Sequence, residues 1–289
     1  MELNKMKTDR IKPFLLQNWI YYAAGAALVL GIKYGYSRSS CDGLRWILTP
    51  TARWVRALSG IPFEYESQVG YISYTYRFII AASCSGVQFM TIAFAALAFS
   101  FVRRMKTAKG RWGWMAFSLG FSYLFTVFVN GIRIILSIYL PVYLPICLHH
   151  PDILRGWMNP GRLHTMIGTV TYFTSLCVAC HMAGSLSWRL ARASVPARPF
   201  PKTRRAWLSP VFWYFLIVLG IPFLNKAYLK GGARFTEYAA LVAAVCLVIL
   251  ALWGLVSALG KQIGLSLKAG RRQRSGRGML FRKKKDLMG

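Results

Sequence analysis

Apolar and polar positions along this chain fall into long blocks rather than short periods. Six apolar runs stand out, at about residues 19–35, 84–102, 114–140, 164–186, 208–224 and 238–259. A helix needs about 20 predominantly apolar residues to cross a bilayer, and several of these runs approach that length. The pattern therefore predicts an all-α fold, a polytopic transmembrane helical bundle with about six crossings. No small-residue cleavage site follows the first run and further crossings do, so it reads as a retained anchor rather than a signal peptide.

The stretch between the first two runs has a different texture. Thr49-Pro50 predicts a helix start, because proline suits the first helical position. Beyond it Ala52, Val55 and Leu58-Ser59 share one face while Arg53 and Arg56 share another. That is an interfacial amphipathic helix on the extracytoplasmic side, ending at Gly60. Residues 61–79 then turn aromatic and β-branched: Phe63-Glu64-Tyr65-Glu66 and Tyr71 to Phe78, with Gly70 between them, predict a β-hairpin running into Cys84. Further on, the third run is expected to close at Pro141, and residues 141–163 form a proline-containing loop. The expected organisation is a core over residues 1–186, a basic linker over 187–207, an appended two-helix segment over 208–260 and a basic tail over 261–289. The tail is expected to be disordered or to lie on anionic membrane lipids.

Charge settles orientation. Lys and Arg number 37 against 8 Asp and Glu, a net charge of +29. In a soluble chain that excess would suggest nucleic acid. Here the cations sit in blocks between apolar runs, as topology signals do, so no nucleic-acid partner is expected. Of the 37, 25 lie before the first crossing, in 103–111, in 189–205 and after 260, while 11 lie in the alternate gaps. By the positive-inside rule both termini are then cytoplasmic in a multi-pass protein of the cell membrane. None of the eight carboxylates falls in the middle of an apolar run, which argues against a proton- or cation-coupled transporter. The six cysteines form no disulfide-scaffold pattern, although Cys41 and Cys147 share the outer side, where a disulfide between them is open.

Three residues on the expected outer boundary carry candidate chemistry. Cys84, in Ala82-Ser83-Cys84-Ser85-Gly86-Val87-Gln88, stands at the start of the second run, where the positive end of a helix dipole favours a thiolate. The plainer alternative is a small buried residue between helices. Arg133, in Asn130-Gly131-Ile132-Arg133, lies near the end of the third run. An arginine at the centre of a membrane helix costs about 2.5–3.5 kcal/mol, less if it snorkels to lipid phosphate. Asn130, three residues earlier and on the same face, favours an inward polar spot, and the planar donors of arginine suit an oxyanion or a thiolate. His164, in Arg162-Leu163-His164-Thr165, opens the fourth run on a face continued by Thr165, Gly168 and Tyr172, and could act as general acid or base.

Two rival patterns are weaker. His149-His150-Pro151-Asp152 could be drawn with His164 as a metal site, but adjacent histidines in a proline-rich loop seldom hold one ion, so no metal is expected. Cys177-Val178-Ala179-Cys180-His181 matches the C-x-x-C-H haem-attachment pattern. It lies near the cytoplasmic leaflet, whereas haem attachment would be expected outside. Small residues packing between helices explain it better, and no cofactor is expected.

Cys84-Ser85-Gly86, then Asn130-Gly131-Ile132-Arg133, then His164 heading a Gly- and aromatic-containing helix, resembles the exosortase/archaeosortase family, with exosortase K as the expected subtype. The run from Leu48-Thr49-Pro50 to Gly60 resembles that family's approach to its cysteine, and the resemblance covers about residues 15–185. It implies a polytopic enzyme acting on exported proteins with a C-terminal sorting signal: a short motif, an apolar helix and a basic end. The family is thought to cleave near the motif and pass the new carboxyl terminus to a surface anchor, here an unknown acceptor nucleophile. Carried over to this chain, Cys84 is the nucleophile, His164 the general acid/base and Arg133 the stabiliser of the oxyanion, with Asn130 and Arg162 in support.

The rivals to a cysteine transpeptidase or protease are a non-enzymatic transporter and a scaffold for surface-polymer assembly. A transporter needs polar residues along a path, whereas here they cluster at one end. A scaffold would use the basic tail on anionic lipid. Deleting residues 261–289 separates that case: an enzyme should retain most of its processing of exported proteins, read by immunoblot, and a scaffold should lose its function.

Overall fold

The computed structural model describes residues 2–143, 160–193, 208–224 and 235–260. A long first helix, α1 (Glu2–Arg38), is followed by α2 (Arg45–Ser59) and three short strands, β1 (Glu64–Glu66), β2 (Gly70–Ser73) and β3 (Phe78–Ile80). A 3-10 turn, Ala82–Cys84, leads to α3 (Val87–Phe101), and then come α4 (Ala108–Tyr143) and α5 (Pro160–Ala193). The next helix, α6 (Leu208–Phe215), continues through a π-helical turn (Leu216–Gly220) into α7 (Ile221–Leu224). The last, α8, spans Phe235–Gly260.

Among the described residues four helices are long and apolar enough to cross a membrane: Ala82–Arg104, Ala108–Leu140, Gly161–Leu190 and Phe235–Gly260. Ser209–Leu224 is apolar but shorter, and α1, where the first crossing is expected, is not among the four. The protein is an all-α transmembrane chain with a small sheet. It divides into two compact units, Met1–Ala240 and Leu241–Gly289.

Helix α3 is the axis of the first unit. Most of its residues are buried all round, including Phe89, Phe94 and Leu97. A helix that is apolar on every face belongs inside a bundle. Small side chains at Ala93, Ala95, Ala96 and Ala98 let α1, α4, α5 and α6 pack against it. Its far end is tied to α5 by Arg104, which donates to the Gly184 carbonyl (3.0 Å) and the Ser187 hydroxyl (2.8 Å).

Local structure departs from the sequence expectations at five places. Helix α2 starts at Arg45, so Pro50 lies inside it. Proline removes the donor that would satisfy the Trp46 carbonyl, and the Tyr123 hydroxyl of α4 donates to that carbonyl instead (2.9 Å). The helix does end on Gly60, which adopts the left-handed conformation at φ 72°. The expected second strand breaks in two: residues 74–77 turn, with Arg77 at φ 48°, and Phe78–Ile80 folds back, giving the antiparallel order β1-β2-β3. Pro141 does not close the third run, because α4 continues to Tyr143. Neither Cys84 nor His164 opens its helix. Cys84 lies in the 3-10 turn ahead of α3, and α5 begins a turn before His164, at Pro160. Cys147, His149, His150, Asp152, most of the basic linker and the basic tail lie outside the described residues.

The sheet is clipped to the chain before it. Tyr71 donates to the Thr49 hydroxyl of α2 (2.8 Å), and the free, buried Cys41 thiol donates to the Val69 carbonyl (3.2 Å). The Asp42 carboxylate accepts from the Tyr65 hydroxyl, the Ser67 hydroxyl and the Gln68 amide. Chiefly through the Tyr65 bond, these donors hold the Asp42 carboxyl below its ordinary range. Ile80 ends the sheet buried in a cluster with Ile47, Leu48, Val55, Val87 and Ile134, and so sets where the following turn, with Cys84, begins.

A carboxyl whose folded pKa is depressed contributes stability above its unfolded pKa, about 3.9 for aspartate, and loses it as pH falls through the folded value. Asp42→Asn should therefore unfold at lower temperature than wild type near neutral pH in detergent. The gap should narrow as pH drops below about 3.9. A difference independent of pH would exclude the carboxylate clip.

Candidate active site

The site is built where the ends of α3, α4 and α5 meet. Gly86, which caps α3, makes the approach possible. Its φ of 78° favours glycine, and a Cβ there would lie 3.0 Å from Thr126 Cγ2 and 3.1 Å from the Asn130 side chain. That close contact brings Asn130 of α4 onto the turn before α3, where its Nδ2 donates to the Cys84 carbonyl (2.7 Å).

A chain of hydrogen bonds then crosses to α5. The Tyr172 hydroxyl donates to Asn130 Oδ1 (2.7 Å) and accepts from one terminal nitrogen of Arg133 (3.2 Å). The other terminal nitrogen of Arg133 lies 2.6 Å from His164 Nε2. Arginine has donors only, so Nε2 accepts and the imidazole is neutral with its proton on Nδ1. The Tyr172 ring is stacked on Phe89 of α3, with centroids 4.5 Å apart and planes 8° from parallel, which fixes where its hydroxyl points.

Arg133 is only 8% exposed and Asn130 is fully buried. Arg133 therefore does not snorkel. Its Nε has no hydrogen-bond partner among the described residues. Gly168 on α5 leaves it room, since a Cβ there would sit 3.2 Å from that nitrogen. Beside it opens a cavity of about 170 Å³, lined by Arg133, His164, Gly168 and Tyr172, by Ser83 and Gly86 on either side of Cys84, and by Tyr36 of α1. Cys84 itself is a half-buried free thiol, joined to the network through its backbone carbonyl.

The family model described as transmembrane exosortase matches residues 26–180, more than half of the chain. The chain belongs to the transmembrane exosortase family. No curated protein and no solved structure matches it. Cys84, Asn130, Arg133, His164 and Tyr172 all fall inside the exosortase-matched stretch.

Arg162 is engaged elsewhere: it pairs with Glu237 in the first turn of α8. The C-x-x-C-H residues of this exosortase lie within α5, where Cys180 and Ala179 are buried and His181 is exposed. Among the described residues no cluster of three or more metal-ligating side chains is present. Sequence reasoning placed Tyr172 on the face of His164 but gave it no role; its eight-residue spacing from His164, about two turns, was the usable signal. Tyr214, Val218 and Tyr238 also line the cavity and were missed altogether. As aromatic and apolar residues in membrane-length runs they looked like packing.

Replacing Tyr172 by Phe keeps the stack on Phe89 but strands Arg133 and Asn130 Oδ1 in a buried place. An unsatisfied buried polar group costs about 1–3 kcal/mol. Tyr172→Phe should therefore lower the unfolding temperature in detergent by several degrees, and an unchanged midpoint would show that the hydroxyl is not a structural link.

Proposed function

We propose that this exosortase-family protein is a membrane-embedded cysteine transpeptidase or protease that cleaves the C-terminal sorting signal of exported proteins. The cleaved protein is then transferred to a surface anchor. Both termini are cytoplasmic and the Cys84–Arg133–His164 end faces outward in the cell membrane, an orientation supported by the 25-to-11 distribution of cations. The observation that carries the reading is the pairing of Arg133 with His164 at 2.6 Å, beside the turn that bears the free thiol of Cys84.

The chemistry follows from the residue types. The Cys84 thiol gives its proton to His164, and its sulfur attacks the scissile carbonyl carbon. The carbonyl π electrons move to oxygen, where the fixed donors of Arg133, including the unpartnered Nε–H, meet the developing charge. Collapse breaks the C–N bond, and His164 returns the proton to the leaving amine, which departs with the apolar helix and basic end. Cys84 is left as a thioester. The acceptor nucleophile, or water, attacks that carbonyl and releases the thiol. Asn130 and Tyr172 keep Arg133 and the Cys84 turn in register, and Arg162 acts from further out.

Cys84→Ala and Cys84→Ser should abolish processing of a membrane-tethered exported reporter bearing such a signal, scored by immunoblot of precursor and mature forms. Arg133→Lys should lose about 100-fold or more, because a point charge does not replace the fork of donors. Cys177→Ala and Cys180→Ala should process normally. Trapping and mass spectrometry should find a thioester-linked peptide on Cys84, and normal processing by Cys84→Ala would end the proposal.

A further inference from the structure

The cavity beside Arg133 and His164 is closed on one side by residues outside the family-matched stretch. Tyr214 of α6, Val218 of the π-helical turn and Tyr238 of α8 line it together with Phe89, Gly168 and Tyr172. The match ends at residue 180, so α6, the π-helical turn and the first turn of α8 lie beyond the matched stretch. Its placement is specific. Ser209 hydrogen-bonds Ser100 of α3, Trp213 packs on Phe99 with centroids 5.0 Å apart, and Tyr214 meets Phe173 of α5 edge-on at 5.1 Å. The π turn then carries one extra residue in the ring, a device common at functional sites, and Ile217 and Val218 are buried there. Arg162–Glu237 fastens the first turn of α8 next to Tyr238. That pair is 24% and 52% exposed, so it adds little stability.

We propose that Tyr214, Val218 and Tyr238 determine substrate specificity: they narrow the Arg133–His164 cavity so that it admits a peptide segment with a small side chain at the scissile carbonyl. The proposal rests on the transpeptidase or protease reading above. Ligand pockets ordinarily run from about 300 to 1,000 Å³, whereas this cavity holds about 170 Å³. Gly168 backs directly onto the Arg133 guanidinium and Gly86 onto Thr126 and Asn130, so Tyr214, Val218 and Tyr238 set the remaining wall. The matched core thus supplies the reacting groups, and the helices beyond it supply the shape that selects among substrates.

The test uses the full-length chain in native membranes and a reporter series. The residue whose carbonyl forms the thioester, identified from the trapped Cys84 adduct, is set to Gly, Ala, Leu or Phe. Wild type should favour Gly and Ala. Val218→Ala should raise kcat/KM for Leu relative to Ala about tenfold, the effect of a methylene or two in an apolar pocket. Val218→Phe should shift preference to Gly by a similar factor. Tyr238→Ala, at a partly exposed position, should widen the range toward Phe and guards against a folding failure of the Val218 variants. A uniform loss across the series, or an unchanged order of preference while Cys84→Ala remains inactive, overturns the specificity inference and leaves the function standing. Processing by Cys84→Ala overturns the function and the inference with it.

Discussion

The structure depends on one buried charge. Arg133 lies within a transmembrane helix, and a guanidinium there is tolerated only if its donors find partners or its head reaches water. At 8% exposure it is largely withdrawn from solvent, and it takes its partners from α5, His164 and Tyr172. Tyr172 passes the constraint to Asn130, and Asn130 passes it to the Cys84 carbonyl. Three elements far apart in sequence are therefore registered by polar contacts. Apolar burial could not do this alone, because in lipid one Leu-rich face packs about as well as another.

The opposite end of the same helices uses the same device. Arg104, at the far end of α3, donates to the Gly184 carbonyl and the Ser187 hydroxyl of α5. Between the two arginines α3 offers small and aromatic apolar side chains that slide easily past their neighbours. A helix pinned at both ends by fixed donors keeps its rotation and depth, and the placement of the turn before it depends on both. The sheet adds a third restraint, since β3 delivers the chain to Ala82 and is paired to β2 in a sheet that Tyr71 and Asp42 clip to the chain before it.

What the sequence disclosed follows from which signals are local. Apolar runs, the Gly60 stop and the anomalous Arg133 are legible because each is a property of one segment and its surroundings. The Asn130–Arg133 face was readable from helix spacing for the same reason. The start of α2 was not, because the partner that rescues the Trp46 carbonyl above Pro50 is Tyr123, 77 residues away. Residues 74–77 turned rather than extending one strand, since Ile80 had to reach the cluster around Ile47 and Val87. Tyr214, Val218 and Tyr238 were invisible as site residues for a further reason. Lipid-facing and cavity-facing positions in membrane-length runs have the same composition, and only tertiary packing, such as that of α6 on α3 and α5 around Tyr214, separates them.

The resting geometry also bears on when the chemistry can start. His164 Nε2 accepts from Arg133 at 2.6 Å, so its lone pair is engaged and cannot take a thiol proton at that nitrogen. On the proposed reading, a carbonyl oxygen entering the cavity competes for the same guanidinium. As Arg133 turns its donors toward that oxygen, the contact with the imidazole weakens and the base becomes available. Cys84 would then be deprotonated only when an electrophile is already in place. In the proposed outward orientation, such ordering suits a free thiol on the oxidising side of a membrane, where side reactions threaten an exposed thiolate. On that reading one arginine does two things in sequence: it holds the base idle while the cavity is empty, and it receives the oxyanion once the cavity is filled.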